Sequence, residues 1–379
     1  MIYLDNAATT YPKPESVYKA LDDANRNQAF NAGRGSYKVA RDSSKLIDET
    51  KKAILKLLHG RGNESVAFTP SITIALNEIL NGIDFAKGDY IFLSPYEHNA
   101  VARTANQICK RTGAMLELLP VKEDTLEIDI EKTKYIFSTK KPRCVCCTAI
   151  SNVIGYILPY DEVFEVAKDY NAVTILDTAQ ALGLIDIDII KCKVDFVAFA
   201  GHKALYGPLG IGGFVDVNNI SLNSFIVGGT GSDSLNLEMP SESPYKYEAA
   251  STNIVAIAGL MAAINEIIID PKNTPEKLLL EYLIEAFEKN EKIIMYLPPK
   301  DKRIGILSFD LDGYKSEDIG MILDEDFDIA VRTGYHCAPF VHDLLGDKKF
   351  LGTVRVGIGR YNTKRDIDTL VQAIEELCD

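Results

Sequence analysis

An acid and a lysine each close an apolar run in this chain. The segment AVTILDTAQ places Asp177 just past such a run, with Gln180 three residues on, and DFVAFAGHK runs into Gly201, His202 and Lys203. Open α/β sheets bind ligands at the carboxyl ends of their strands, so an acid and a lysine delivered by neighbouring strands would face one crevice. A lysine held beside apolar strands has a depressed pKa, and its neutral amine can form a Schiff base with a carbonyl. A carboxylate opposite a pyridinium nitrogen keeps that nitrogen protonated, which is what makes pyridoxal phosphate an electron sink. Taken singly, each residue also fits a plainer role: Lys203 on the surface, Asp177 as a helix N-cap.

Other segments carry anion-binding or reactive groups. Arg355 interrupts the apolar run TVRVGIG. A buried arginine needs an anion, and a bidentate carboxylate suits its planar fork; an internal salt bridge is the alternative. In AFTPSITIALN a strand passes into a helix at Ser71 and Thr73. Free N–H groups and the dipole favour a phosphate there, although simple N-capping also explains the hydroxyls. Cys337 lies between Gly334 and Pro339, which mark a loop, and Arg332 and His336 would favour its thiolate. A loop cysteine is otherwise an incidental free thiol. Cys144, Cys146 and Cys147 alternate within an apolar strand, which sends the first two to one face and the third to the other. Metal ligands must converge, so these thiols are expected in the core and no metal site is expected.

The elements that must position these groups are legible as alternation. Strands are expected at Ser65–Thr69, Tyr90–Leu93, Leu116–Leu119, Cys144–Thr148, Val173–Asp177, Phe196–Phe199 and Ile211–Val215, most of them continuously apolar as in strands covered on both faces. Helical patterns between them (Glu15–Asn25, Ser43–Leu58, Ile72–Leu80, Val101–Thr112, Glu162–Asp169) favour an α/β fold with a mostly parallel sheet. After Asn253 the texture changes. Helices at Ile254–Ile269, Thr274–Asn290 (capped by Thr274 and Pro275), Ser316–Asp324 and Lys364–Cys378 mix with strands at Gly305–Asp310 and Ile329–Arg332. The expectation is a large α/β domain over 13–253 and a smaller α+β domain over 254–379 that includes residues 1–12. The Gly, Ser and Pro-rich loop Gly228–Tyr247 reads as a mobile flap or an oligomer contact.

At 379 residues the chain is long enough for two cores, and its 46% hydrophobic and 25% charged content excludes a disordered or fibrous class. With 41 basic and 54 acidic residues the net charge is −13, which argues against nucleic acid or anionic lipid as a partner. No apolar run approaches the roughly 18 residues of a membrane span. MIYLDNAATT lacks a basic start and an apolar h-region, so no secretory signal is expected. Seven cysteines, an odd number, fit a reducing cytoplasm better than a disulfide framework.

Five fragments in order, spanning residues 3 to 363, closely resemble the group II cysteine desulfurases of the class V aminotransferase family. They are YLDNAATTYPKP (Tyr3–Pro14), DTAQ (Asp177–Gln180), GHK (Gly201–Lys203) followed by GPLGIGG, RTGYHCAP (Arg332–Pro339) and GTVRVGIGRYNT (Gly352–Thr363). The resemblance implies the type I fold of pyridoxal phosphate enzymes, a homodimer with active sites at the interface, and conversion of L-cysteine to L-alanine with the sulfur kept as an enzyme persulfide. It implies that Lys203 links the cofactor and moves the Cα proton, that Asp177 faces the pyridine nitrogen, that Gln180 donates to the phenolic oxygen, and that His98 in SPYEHNA stacks on the ring. Asn152 in AISNVIG matches the asparagine near the substrate amine, and Arg355 the carboxylate-binding arginine. Thr73 and His202 match phosphate contacts. Ser251, in YEAASTN, stands where the family has a threonine that reaches the partner subunit's phosphate. Cys337 matches the sulfur-accepting cysteine, and a serine there would bind substrate but pass on no persulfide. Three positions depart from the family pattern: Ala200 replaces a serine, Thr252 a proline, and Tyr335 the first histidine of the cysteine motif.

The leading expectation is therefore a desulfurase handing persulfide sulfur to a protein acceptor, for iron–sulfur clusters, thiolated tRNA or another pathway. A selenocysteine lyase of the same fold is a rival for which Cys337→Ala would retain activity on selenocysteine alone. A transaminase or β-eliminating enzyme would release keto acid or pyruvate instead of alanine. A thiol- or metal-binding interaction protein built on the CxCC strand would show no cofactor colour for Lys203→Ala to abolish.

Overall fold

The computed structural model describes residues 1–32, 35, 37–231, 235–270 and 275–378. The chain opens with β1 (Ile2–Tyr3), α1 (Glu15–Asp23) and α2 (Lys38–Leu57). Alternation follows: β2 (Ser65–Thr69), α3 (Ile72–Gly82), β3 (Tyr90–Leu93), α4 (Asn99–Thr112), β4 (Met115–Leu118), α5 (Ile130–Thr139), β5 (Pro142–Thr148), α6 (Tyr160–Lys168), β6 (Val173–Asp177), β7 (Phe196–Ala200) and β8 (Gly212–Asp216). The remainder contains α7 (Ile254–Ile269), α8 (Glu276–Phe287), β9 (Ile293–Tyr296), β10 (Ile306–Leu311), α9 (Ser316–Phe327), β11 (Ile329–Ala330), β12 (Arg332–Gly334), α10 (Val341–Leu345), β13 (Thr353–Gly357) and α11 (Lys364–Cys378).

Strands β2 to β8 form one sheet in the order β2-β8-β7-β6-β5-β3-β4. β8 is antiparallel to β2 and β7, and the other pairings are parallel. This is the mostly parallel seven-stranded α/β sheet that the sequence predicts. β6, β7 and β8 are buried at every position, so their sequences carry no polar alternation. Two glycines open β8 because its neighbours stand too close for a side chain: a Cβ on Gly213 would lie 2.2 Å from the Ala67 carbonyl. Cys147 enters the core on one face, Cys144 and Cys146 that on the other, as their alternation requires.

β9, β10, β12 and β13 form a separate antiparallel sheet, ordered β12-β13-β10-β9, whose core is closed by α8, α9 and α11. The run Ile329–Arg332, expected as one strand, is two. Ile329–Ala330 pairs in parallel with β1, and Arg332–Gly334 pairs with β13, so the chain changes sheets at Val331. The helix expected from Thr274 runs Glu276–Phe287, and Thr274 itself lies outside the described residues. Residues 232–234 of the Gly228–Tyr247 loop also lie outside them. α7 packs against α1 and α2, and its Ile257, Leu260 and Ile264 sit in the core of the seven-stranded sheet.

Candidate functional site

Asp177 pairs with Ala198 on the neighbouring strand, so the ends of β6 and β7 emerge side by side. β6 ends in Asp177 itself; β7 ends at Ala200 and delivers Lys203 three residues later. Asp177 is 4% exposed, and its Oδ1 accepts the Ala179 N–H at 2.8 Å. Burial raises its carboxyl above the usual range, opposed by that hydrogen bond and by Lys203. Burial likewise pulls the Lys203 amine below its ordinary value; Asp177 and Cys337 oppose that shift, whereas Arg355 and Arg332 reinforce it. Acid, amine, thiol and two guanidiniums thus share one field.

The lysine turn is fastened from the N-terminal segment. The His202 carbonyl accepts from Thr10 N, Thr9 Oγ1, Thr10 Oγ1 and, at 2.8 Å, Lys13 Nζ. Burial lowers Lys13 to about 8. His202 is itself held neutral, pushed down to about 4 chiefly by burial, and its buried Nδ1 has no hydrogen-bond partner among the described residues. Gln180 is not free: its Nε2 donates to the Ala7 carbonyl at 2.7 Å.

His98 caps α4, with Nδ1 accepting the Ala100 N–H at 3.1 Å, which leaves Nε2 as the protonated nitrogen. Burial first, and the nearby cations second, lower it to about 4. Its neighbour Glu97 is fully buried and accepts from Ser94 Oγ and Thr148 N through one oxygen, while Oε2 has no partner among the described residues. Burial raises Glu97 to about 8, so it is protonated at neutral pH.

Arg355 is 1% exposed. Its Nη2 donates to Asp5 Oδ1 at 2.7 Å and its Nη1 to the Asn152 carbonyl at 2.9 Å, but Nε is buried without a partner among the described residues. The internal salt bridge exists, and capacity for another acceptor remains. The Asn152 amide donates to the His336 carbonyl at 2.8 Å and so joins this arginine to the cysteine loop. Within that loop the Arg332 guanidinium lies 3.5 Å from Cys337 Sγ. The sequence also offered His336 as a thiolate-stabilising cation. The structure corrects this: His336 is buried, pushed far below the usual histidine range by desolvation, and its Nε2 faces Thr353. Arg332 is left as the cation of the motif beside the sulfur. On its outer side Cys337 lines a cleft of about 620 Å3 together with Arg103, Asn106, Leu116 and Phe340.

Lys203, Asp177, His98, Asn152, Arg355 and Cys337 are thus linked by contact or shared field. Among the described residues no hydrogen bond joins the side chain of Thr73 or Ser251 to them. Thr73 is exposed in the first turn of α3, whose cap is Ser71. Ser251 is exposed and lines a cleft with Thr69, Pro70 and Gly210.

The Aminotransferase class-V family model matches residues 2–370. The chain belongs to that family. A probable cysteine desulfurase from Halalkalibacterium halodurans is 32% identical, with 99% of this chain and 93% of the relative covered. One from Pyrococcus abyssi is 32% identical over 100% of this chain and 94% of its own. The apo structure of a cysteine desulfurase from Thermococcus onnurineus superposes with a TM-score of 0.91 at 29% identity, covering 99% of this chain and 94% of the other. Sequence reasoning missed several residues around this class V site. Asp5 and Glu97 lie inside quoted motifs, so proximity in sequence was their available signal; the partners of Lys13 become visible only when the N-terminus folds over the lysine turn.

Proposed function

We propose that this class V family member is a pyridoxal phosphate-dependent cysteine desulfurase that converts L-cysteine to L-alanine and retains the sulfur as a persulfide on Cys337. The observation that carries the reading is geometric: Asp177 and Lys203 leave adjacent strand ends, and in the cysteine loop the Arg332 guanidinium lies 3.5 Å from Cys337 Sγ. The desulfurase names of full-length relatives support it.

The residues present fit the cofactor. Two buried nitrogens, His202 Nδ1 and Arg355 Nε, lack partners and suit anionic groups of a cofactor and a substrate. Lys203 would tether the cofactor, Asp177 would face its ring nitrogen, and His98, Gln180, Thr73 and His202 would hold ring and phosphate. Ser251, exposed in the cleft beside Thr69 and Pro70, would serve the site of a second copy. When bound, pyridoxal phosphate supplies an electron sink for bonds at the substrate's Cα. The Lys203 amine, kept deprotonation-ready by burial, takes and returns the Cα proton. Arg355 orients the substrate carboxylate and Asn152 lies beside its amine. Cys337 Sγ, with the Arg332 guanidinium 3.5 Å away, attacks the substrate sulfur: the S–S bond forms as C–S breaks, and the carbon left behind gains a proton.

The cleft outside Cys337 gives a protein sulfur acceptor access to the persulfide. We also assign the enzyme to a homodimer and to the cytoplasm, the latter because all seven cysteines are free thiols. Among the described residues no helix is long and apolar enough to cross a membrane. Incubating the purified holoenzyme with L-cysteine should give alanine and one extra sulfur atom on Cys337 by mass spectrometry. Cys337→Ser should lose both products while still changing the cofactor spectrum on substrate addition. Pyruvate in place of alanine, or an unmodified Cys337, would overturn the reading.

A further inference from the structure

The loop that carries Cys337 is bent against the preferences of its own residues. His336 and Cys337 adopt φ of +45° and +57°, in the left-handed region that side chains other than glycine's disfavour. Such backbone persists only where its surroundings hold it. Several of those holds are plain: Asn99 N donates to the Cys337 carbonyl at 2.7 Å, Asn152 to that of His336, and Ala338 N to that of Tyr335. Gly352 packs so tightly on Gly334 that a Cβ there would stand 2.3 Å from the Gly334 carbonyl carbon.

A further hold is of a different kind. His342 in α10 is 2% exposed and Asp347, in the turn that follows, is 0% exposed. His342 Nδ1 meets Asp347 Oδ2 at 2.5 Å, and Nε2 meets the Tyr335 carbonyl at 2.9 Å. A carbonyl only accepts, so Nε2 carries a proton; the short contact at Nδ1 then needs a second proton, on the ring or on the acid. The imidazole is fixed at both ends, and it stands edge-on to the Tyr335 ring at 5.0 Å. Burying an acid and a histidine is costly unless each is hydrogen-bonded, and here each is the other's partner. Asp347 Oδ1 has no partner among the described residues, so His342 is the group that justifies the acid's burial.

We propose that the buried His342–Asp347 pair is a positioning device for the nucleophile: it grips the Tyr335 carbonyl and thereby fixes the strained turn that aims Cys337 Sγ toward Arg332. Neither residue touches the reacting atoms. The inference rests on the desulfurase reading for its catalytic consequence, but the geometry it describes is independent of substrate.

The test compares two variants in the holoenzyme. His342→Gln keeps an N–H donor near the place of Nε2, whereas His342→Leu keeps the bulk and loses the donor. The readouts are the iodoacetamide alkylation rate of Cys337 without substrate, and kcat and KM for alanine formation. His342→Leu should shift the alkylation rate several-fold and lower kcat by about 10- to 100-fold with KM nearly unchanged. His342→Gln should recover most of both. Equal behaviour of Leu and Gln, or wild-type rates in both, would mean the pair only fills space. If His342→Leu fails to fold, nitrogen-15 histidine spectra of the wild-type enzyme decide: the His342 ring resonances must move when Cys337 is alkylated, and unmoved resonances overturn the proposal. Should the wild type give no alanine, the desulfurase reading fails while the alkylation comparison still judges the positioning role.

Discussion

Arg355 meets two demands at once. With Asp5 and the Asn152 carbonyl as partners it tolerates burial, and with Nε unpaired it keeps an attraction for an incoming carboxylate. Arg355→Lys keeps the charge but not the fork. KM for L-cysteine should rise about 10- to 100-fold, the equivalent of one charge-assisted hydrogen bond, with a smaller change in kcat; steady-state kinetics checks it. Glu97 makes a prediction about pH. Its native carboxyl, raised to about 8 by burial, binds a proton that the unfolded chain releases near pH 4.5. The native state therefore holds more protons between those values, and stability must fall as pH rises through that window. Glu97→Gln should flatten that slope in urea titrations taken at a series of pH values; an unaltered slope would show that the acid is ionised in the fold.

At the scale of elements, β6 and β7 were readable because burial on both faces leaves runs that are apolar but for Thr174, with polar residues at or just past the strand end. α5 was not: its buried positions include Thr133 and Phe137, four apart, and one of the two is polar. The break at Val331 was also invisible, since a local run cannot announce that its halves pair with different sheets. α7 bears on the domain boundary. Its Leu260 is fully buried in the core of the seven-stranded sheet, so we propose that the division follows this helix rather than preceding it at residue 253. Leu260→Ala should cost about 2–5 kcal/mol. That loss should appear as earlier unfolding of the large sheet, detectable by hydrogen exchange in β5 to β7; selective loss of protection in β10 and β13 would favour the earlier boundary.

Across the whole molecule, one end of the Gly228–Tyr247 loop and the chain before it present Phe225, Ile226 and Val227, while Leu235 and Leu237 are 98% and 101% exposed. Five exposed apolar side chains within thirteen residues of sequence are a candidate for a surface that a partner covers. They support the homodimer reading. Val227→Glu with Leu237→Glu should shift the protein from dimer to monomer in sedimentation velocity, and since the role proposed for Ser251 is at a second copy's site, cofactor retention should weaken in parallel. A monomeric wild type with full cofactor occupancy would contradict both.

The order of apolar runs, the acid and lysine that end two of them, the loop cysteine and the arginine in an apolar strand were all determined by the sequence alone, because burial and strand ends leave a local signature. Which charges face one another was decided by tertiary structure. His336 becomes neutral by burial while Arg332 approaches the thiol, Asp5 reaches Arg355 across 350 positions, and His342 turns back to hold Tyr335. Electrostatic energy depends on distance and desolvation in space, and neither quantity can be read along a chain.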